Sequence, residues 1–142
     1  MAQNQPRHRF FQGPASNNYS VRFSPFEPNK LVVGQSQNFG IAGTGAVSIL
    51  QTGPGPTAIV QQFQTPDNCF DVCFSEANKD QVLSAGGDGT LKLWQIGQPQ
   101  PLAILKGHQA EAQCCEWNHI NKRMVLSGSM DTTIRLWDAS TP

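Results

Sequence analysis

Charge is scarce in this sequence. Ten basic and ten acidic side chains in 142 residues amount to 14% and cancel to a formal net charge of zero, where an average soluble domain carries about 25%. A balance this thin leaves no electrostatic footprint for nucleic acid or acidic lipid. Long apolar runs are missing too: none approaches the roughly 20 residues that span a bilayer, so no membrane insertion is expected. Hydrophobic residues still make up 38% of the chain, too many for wholesale disorder. Polarity comes instead from Gln, Asn, Ser and Thr, punctuated by 13 Gly and 10 Pro.

Several chemistries lack their residues. A zinc site would need two spaced cysteine pairs, with His108 or His119 to help, but Cys69 and Cys73 are followed only by the adjacent Cys114 and Cys115. On a strand such neighbours point to opposite faces. Reduced strand cysteines of an intracellular protein are therefore expected, with no metal, no cofactor and no disulfide framework. The Gly40–Gly45 stretch is not Gly-x-Gly-x-x-Gly and no helix pattern follows it, so it reads as a turn and not a nucleotide cradle. Residues 1–18 are polar, with Arg7 and Arg9 but no acid, as in a transit peptide. Gly13-Pro14 and Asn17-Asn18 would break its helix, so a flexible N-terminal tail is expected.

What the chain does have is a repeat. Ser84 and Ser127, Asp88 and Asp131, and Trp94 and Trp137 are each 43 residues apart, and Phe74 maps onto Trp117 at the same offset. Each unit reads as short alternating strands separated by Gly, Asn or Asp turns, with strands expected at 69–74, 81–85, 90–94 and 102–105, then at 112–117, 123–128 and 133–137. A weaker copy precedes them. Tyr19–Ser24 matches Phe70–Ser75 at an offset of 51, and Gly43-Thr44-Gly45 matches Gly87-Asp88-Gly89 at 44. The difference places a seven-residue insertion around Gln35 to Gly40. Residues 58–63 would be the outer strand of this first unit.

A period near 43 with four strands per unit is the signature of propeller blades. Gly107-His108 and, with 28 residues between that histidine and the tryptophan, Trp137-Asp138 resemble the WD-repeat superfamily. The resemblance implies an all-β, WD-repeat β-propeller with about three blades present: a degenerate blade at 19–63, a second at 69–105, and a third at 112–138 lacking its outer strand. In that superfamily the Gly-His histidine, a strand Ser, the turn Asp and the strand Trp form one buried hydrogen-bond network, which His108, Ser127, Asp131 and Trp137 match. Ser84, Asp88 and Trp94 match it in part, since Gln64-Thr65 replaces Gly-His. His108, Ser127 and Asp131 also have the composition of a hydrolase triad. No Gly-x-Ser-x-Gly elbow surrounds Ser127, so no catalytic residue and no enzyme are expected.

Residues outside the generic motif point further. Tyr19–Phe26, Asn38–Gly45 and Phe70-Asp71-Val72 with Ser75-Glu76 resemble the WD-repeat receptors for the type-2 peroxisomal targeting signal, the peroxin-seven family. The resemblance implies a peroxisomal matrix protein import receptor. It would bind cargo proteins in the cytosol by a short amphipathic N-terminal signal, dock at the peroxisome with a co-receptor (a tetratricopeptide-repeat receptor or a peroxin) and docking proteins, and recycle. A generic WD-repeat interaction scaffold is the alternative.

Binding such a signal calls for an apolar groove with a carboxylate for its basic residue. On WD propellers the partner-facing positions lie four and six residues before the aromatic that ends each blade's first strand, and just before the turn Asp. Those positions are Tyr19 and Asn17, Phe70 and Asn68, Gln113 and Glu111, with Gly43, Gly87 and Met130 at the turns. Tyr19, Phe70 and Met130 would be apolar contacts, and Glu111 the partner of the basic residue. Alternatively, Tyr19 and Phe70 pack within blades and Met130 is only an exposed turn residue. Propellers close with 4 to 8 blades, so the chain is expected to be a fragment, a truncated gene model or an alternative product. A self-assembling half-propeller is the other reading.

Overall fold

The computed structural model describes residues 9–13 and 16–140. It contains three antiparallel sheets and one short 3-10 turn, Asn38–Gly40. The first sheet holds β1 (Asn17–Phe23), β2 (Lys30–Ser36), β3 (Gly45–Gln51) and β4 (Ala58–Thr65) in chain order. The second holds β5 (Cys69–Phe74), β6 (Gln81–Gly86), β7 (Leu91–Gln95) and β8 (Pro101–Leu105). The third has three strands, β9 (Ala112–Trp117), β10 (Met124–Ser129) and β11 (Ile134–Asp138). Each is a meander, and the first strands β1, β5 and β9 lie side by side. No helix among the described residues is long and apolar enough to cross a membrane.

The three sheets span residues 17–65, 69–105 and 112–138. The turn after each first strand is closed alike. Ser24 Oγ accepts the N–H groups of Phe26 and Glu27, Ser75 Oγ those of Ala77 and Asn78, and Asn118 Oδ1 those of Ile120 and Asn121. Short oxygen-bearing side chains supply acceptors that the strands leave empty at a reversal. A serine or asparagine oxygen at this point in each unit thus closes the turn that leads into β2, β6 and β10.

Two apolar layers hold the sheets together. Val32, Val47, Ile49, Phe63, Val72, Val82 and Trp94 fill the space between the first and second sheets, where Phe63 stacks on Trp94 at 4.9 Å between ring centroids. Cys73, Leu83, Leu91, Leu93, Cys115, Trp117 and Val125 fill the space between the second and third. Neighbours on β6 serve opposite layers, Val82 one and Leu83 the other, because strand side chains alternate. Covered on both faces, β6 is buried continuously from Val82 to Gly86 instead of alternately. The third sheet is covered on one face only, leaving Leu126, Ile134 and Leu136 exposed.

Two expectations need correcting. Asn17 and Asn18 are not tail: they open β1, paired with Ser36 and Gln35, because Asn18 Oδ1 accepts a bond from Gln35 Nε2 at 2.9 Å. Among the other tail residues, Arg9 donates from Nη1 to Gly53 O at 2.7 Å, while 1–8 and 14–15 lie outside the described residues. The outer strand expected at 58–63 runs on to Thr65, its pairing with β3 resumed after a bulge at Ile49/Leu50.

Candidate functional site

The third sheet assembles the four-residue network. His108 Nε2 lies 2.7 Å from Ser127 Oγ, His108 Nδ1 lies 2.8 Å from Asp131 Oδ2, and Trp137 Nε1 donates to Ser127 Oγ at 2.8 Å. Indole N–H only donates, so Ser127 accepts from Trp137 and gives its own proton to Nε2. His108 is then the tautomer that donates Nδ1–H to Asp131. The distances are those of a hydrolase triad, but Ser127 is 2% exposed and its oxygen faces Trp137 instead of solvent. Its role here is to satisfy buried polar groups and lock the turn to the sheet. Hydrogen bonds from Thr133, the Gln109 N–H and His108 hold the Asp131 carboxyl well below the usual range against the opposing effect of burial.

The other sheets solve the same problem differently. In the second, Trp94 Nε1 donates to Ser84 Oγ at 2.9 Å. Thr65 stands where His108 would, so Asp88 has no histidine; buried Lys92 reaches it instead and also bonds Thr90 Oγ1. Burial opposes ionisation of Asp88, but these bonds prevail and lower its pKa. In the first sheet, where Leu50 replaces Trp, a chain of amides takes over. Ser48 Oγ donates to Gln35 Oε1 at 2.7 Å and accepts from Gln62 Nε2 at 2.8 Å.

Between the sheets lies a residue to which the sequence reading assigned no role. Asp71 is 7% exposed. It accepts Ser20 Oγ at 2.5 Å and Val72 N–H at 2.9 Å on Oδ1, and Cys115 N–H at 3.0 Å on Oδ2, with Arg22 at 3.5 Å. One carboxylate thereby joins all three sheets. A lone acid between Phe70 and Val72 in a buried strand was the available signal.

The candidate binding residues all fall at one end of the sheets, where the first strands begin and the second and third strands are joined. There Tyr19 and Phe70 meet edge to face, 5.6 Å between centroids. The inserted connection spans eight residues (37–44), where the other two sheets use four, and it sits on this pair. A Cβ on Gly40, whose φ is +72°, would stand 2.7 Å from Tyr19 Oη. Asn17 Oδ1 accepts the Phe39 N–H, and Asn68 Nδ2 donates to Gly40 O, both at 2.9 Å. Asn68 is buried, and its backbone carbonyl also accepts the Gly87 N–H. Gly43 sits in the inserted connection at φ +108°.

In the third sheet Met130 N–H donates to Glu111 O, setting the exposed side chains of Glu111 and Met130 on one rim. Gln113 is exposed and occupies a bulge in the pairing of β9 with β10. The structure thus brings Tyr19, Phe70, Asn17 and Asn68 together around one turn, and Glu111 and Met130 together at the next sheet but one. The insertion also exposes Phe39 and Ile41, at 75% and 86%, to which no position in a strand drew attention. Two large apolar residues in an insertion with no strand pattern were the signal for them. No group of three or more His, Cys, Asp or Glu able to hold a metal occurs among the described residues.

The family model "WD domain, G-beta repeat" matches residues 58–95 and 99–138. The chain is 41% identical over 105 residues to the "Peroxisomal targeting signal 2 receptor" of Saccharomyces cerevisiae, covering 72% of this chain and 28% of that one. It is 36% identical over 107 residues to "Peroxisome biogenesis protein 7" of Arabidopsis thaliana (72% and 34%), and 34% identical over 111 to the "Peroxisomal targeting signal 2 receptor" of Homo sapiens (78% and 34%). The chain spans about a third of the length of these relatives.

Proposed function

Because the chain belongs to the WD-repeat family, in which the sheets are blades and their ends carry the binding surface, we propose that this chain binds the type-2 peroxisomal targeting signal. In this reading it serves import of matrix proteins into peroxisomes. The observation that carries the reading is the reach of the similarity. The two stretches matched by the repeat model leave out β1 to β3, whereas the likeness to the signal receptors spans 105 residues, more than those stretches hold.

The geometry supports a peptide ligand. Tyr19, Phe70 and Met130 offer apolar surface, and Glu111 an exposed carboxylate, at the same end of the blades. An amphipathic segment with one basic residue would lay its aliphatic side chains on the former and its cation on the latter. The chain would meet cargo in the cytosol and cycle through the peroxisome with a co-receptor and docking proteins. The triad-like cluster beneath stays structural.

The test is selective retention. Immobilised chain should hold a cargo protein bearing the type-2 signal and release the same protein with the signal deleted. Equal retention of both would favour a general WD-repeat scaffold.

A further inference from the structure

The connection between β2 and β3 is built more elaborately than a strand reversal needs. Asn38, Phe39 and Gly40 are consecutively left-handed, at φ 47°, 56° and 72°. A phenylalanine in that region is uncommon and persists only where its surroundings impose it. Here they do. Gln37 N–H donates to Thr44 O and Gly40 N–H to Gln37 O, while Asn17 and Asn68 grip the Phe39 N–H and the Gly40 carbonyl. Asn68 does this although its buried Oδ1 has no hydrogen-bond partner among the described residues.

All this fixing presents two apolar side chains to solvent. Phe39 and Ile41 are 75% and 86% exposed, so the connection contributes little to either core layer. They stand at the end of the blades that also carries exposed Tyr19 and Met130, and Glu111, which makes no ion pair among the described residues. Exposed apolar residues displayed together on a rigid frame mark a contact surface.

We propose that the 37–44 connection is a fixed wall of the peptide-binding surface. Phe39 and Ile41 grip the aliphatic side chains of an amphipathic, basic peptide, whose cation pairs with Glu111. Gly40 and Asn68 are positioning residues that seat the wall on Tyr19 and Phe70. The inference rests on the receptor reading above and adds a specificity element that the generic repeat lacks. Gly40 is required because a Cβ there would also come within 3.0 Å of Phe70.

The probe is a fluorescein-labelled peptide carrying a basic residue, a following aliphatic and, further on, a His or Gln beside an aliphatic, titrated into the full chain by fluorescence anisotropy. Phe39→Ala and Ile41→Ala should each weaken binding about tenfold, as expected for removing one apolar side chain from a buried contact. Their melting temperatures should equal the parent's, since both side chains are exposed. Gly40→Ala keeps both side chains but lifts the turn, and should weaken binding comparably. Affinity within about twofold of the parent for the Phe39→Ala/Ile41→Ala double variant overturns the proposal. A parent chain that binds no peptide overturns the receptor reading itself and the wall with it.

Discussion

Replacing Asp71 by Ala should be among the most damaging single changes in the molecule, because its carboxylate bridges three blades. The substitution leaves the Val72 and Cys115 N–H groups buried without that acceptor, at about 1–3 kcal/mol each. It also removes the acceptor of the buried Ser20 hydroxyl. Arg22 is half exposed, so its ion pair adds little. Two orphaned N–H groups and one hydroxyl deprived of its acceptor total about 3–5 kcal/mol. Against a typical domain stability of about 5–15 kcal/mol this is a large fraction. Urea unfolding followed by tryptophan fluorescence reads it directly, since Trp94 and Trp117 belong to the two core layers that flank β5. Asp71→Asn keeps the shape and one acceptor and should fall between Ala and the parent. An Asp71→Ala midpoint corresponding to a loss below about 1 kcal/mol would refute the inter-blade role.

Two further predictions concern titratable groups. The folded-state pKa of Asp131 is lowered, chiefly by Thr133, from an ordinary 3.8. Its contribution is therefore present above that value and lost as pH falls below it. Thr133→Val should flatten the fall in melting temperature between about pH 5 and pH 2; an unchanged profile would remove Thr133 as the cause. Of the four cysteines, Cys114 alone is exposed. Burial, then Asp71, pushes the Cys69 thiol up to about 12, and the bond with Cys73, then burial, raises Cys115. A thiol-reactive chromophore should modify one cysteine quickly in the native chain and the rest only on unfolding. Three fast thiols would contradict the packing between the second and third blades.

The repeat was legible because its residues are spent on geometry that every blade shares. Ser84 and Trp94, and His108, Ser127, Asp131 and Trp137, are fixed by hydrogen bonds within one sheet, so their spacing survives as a sequence period. Strand bounds at Cys69–Phe74 and Ala112–Trp117 followed from the same alternation. The first blade was harder. Its Gln35–Ser48–Gln62 chain replaces the tryptophan network with residues ordinary on any surface, and only the folded sheet shows Gln35 and Ser48 to be buried. Asp71 escaped for a related reason: its partners Ser20 and Cys115 lie 51 and 44 residues away in other sheets. At the end of the blades where the first strands begin, position in the strand singled out Tyr19 and Phe70 as candidates, and the structure sets their rings edge to face. Phe39 and Ile41 were not singled out, because an insertion has no register to count from.

In the proposed function, this end of the blades captures a basic, amphipathic signal peptide through Glu111. Titrating the labelled peptide into the parent chain and into Glu111→Lys, with urea midpoints for both, tests it most directly. Saturable binding by the parent, weakened about tenfold or more by the charge reversal with the midpoint unchanged, is the predicted result. No saturable binding by the parent, or equal affinity for the two proteins, would contradict it.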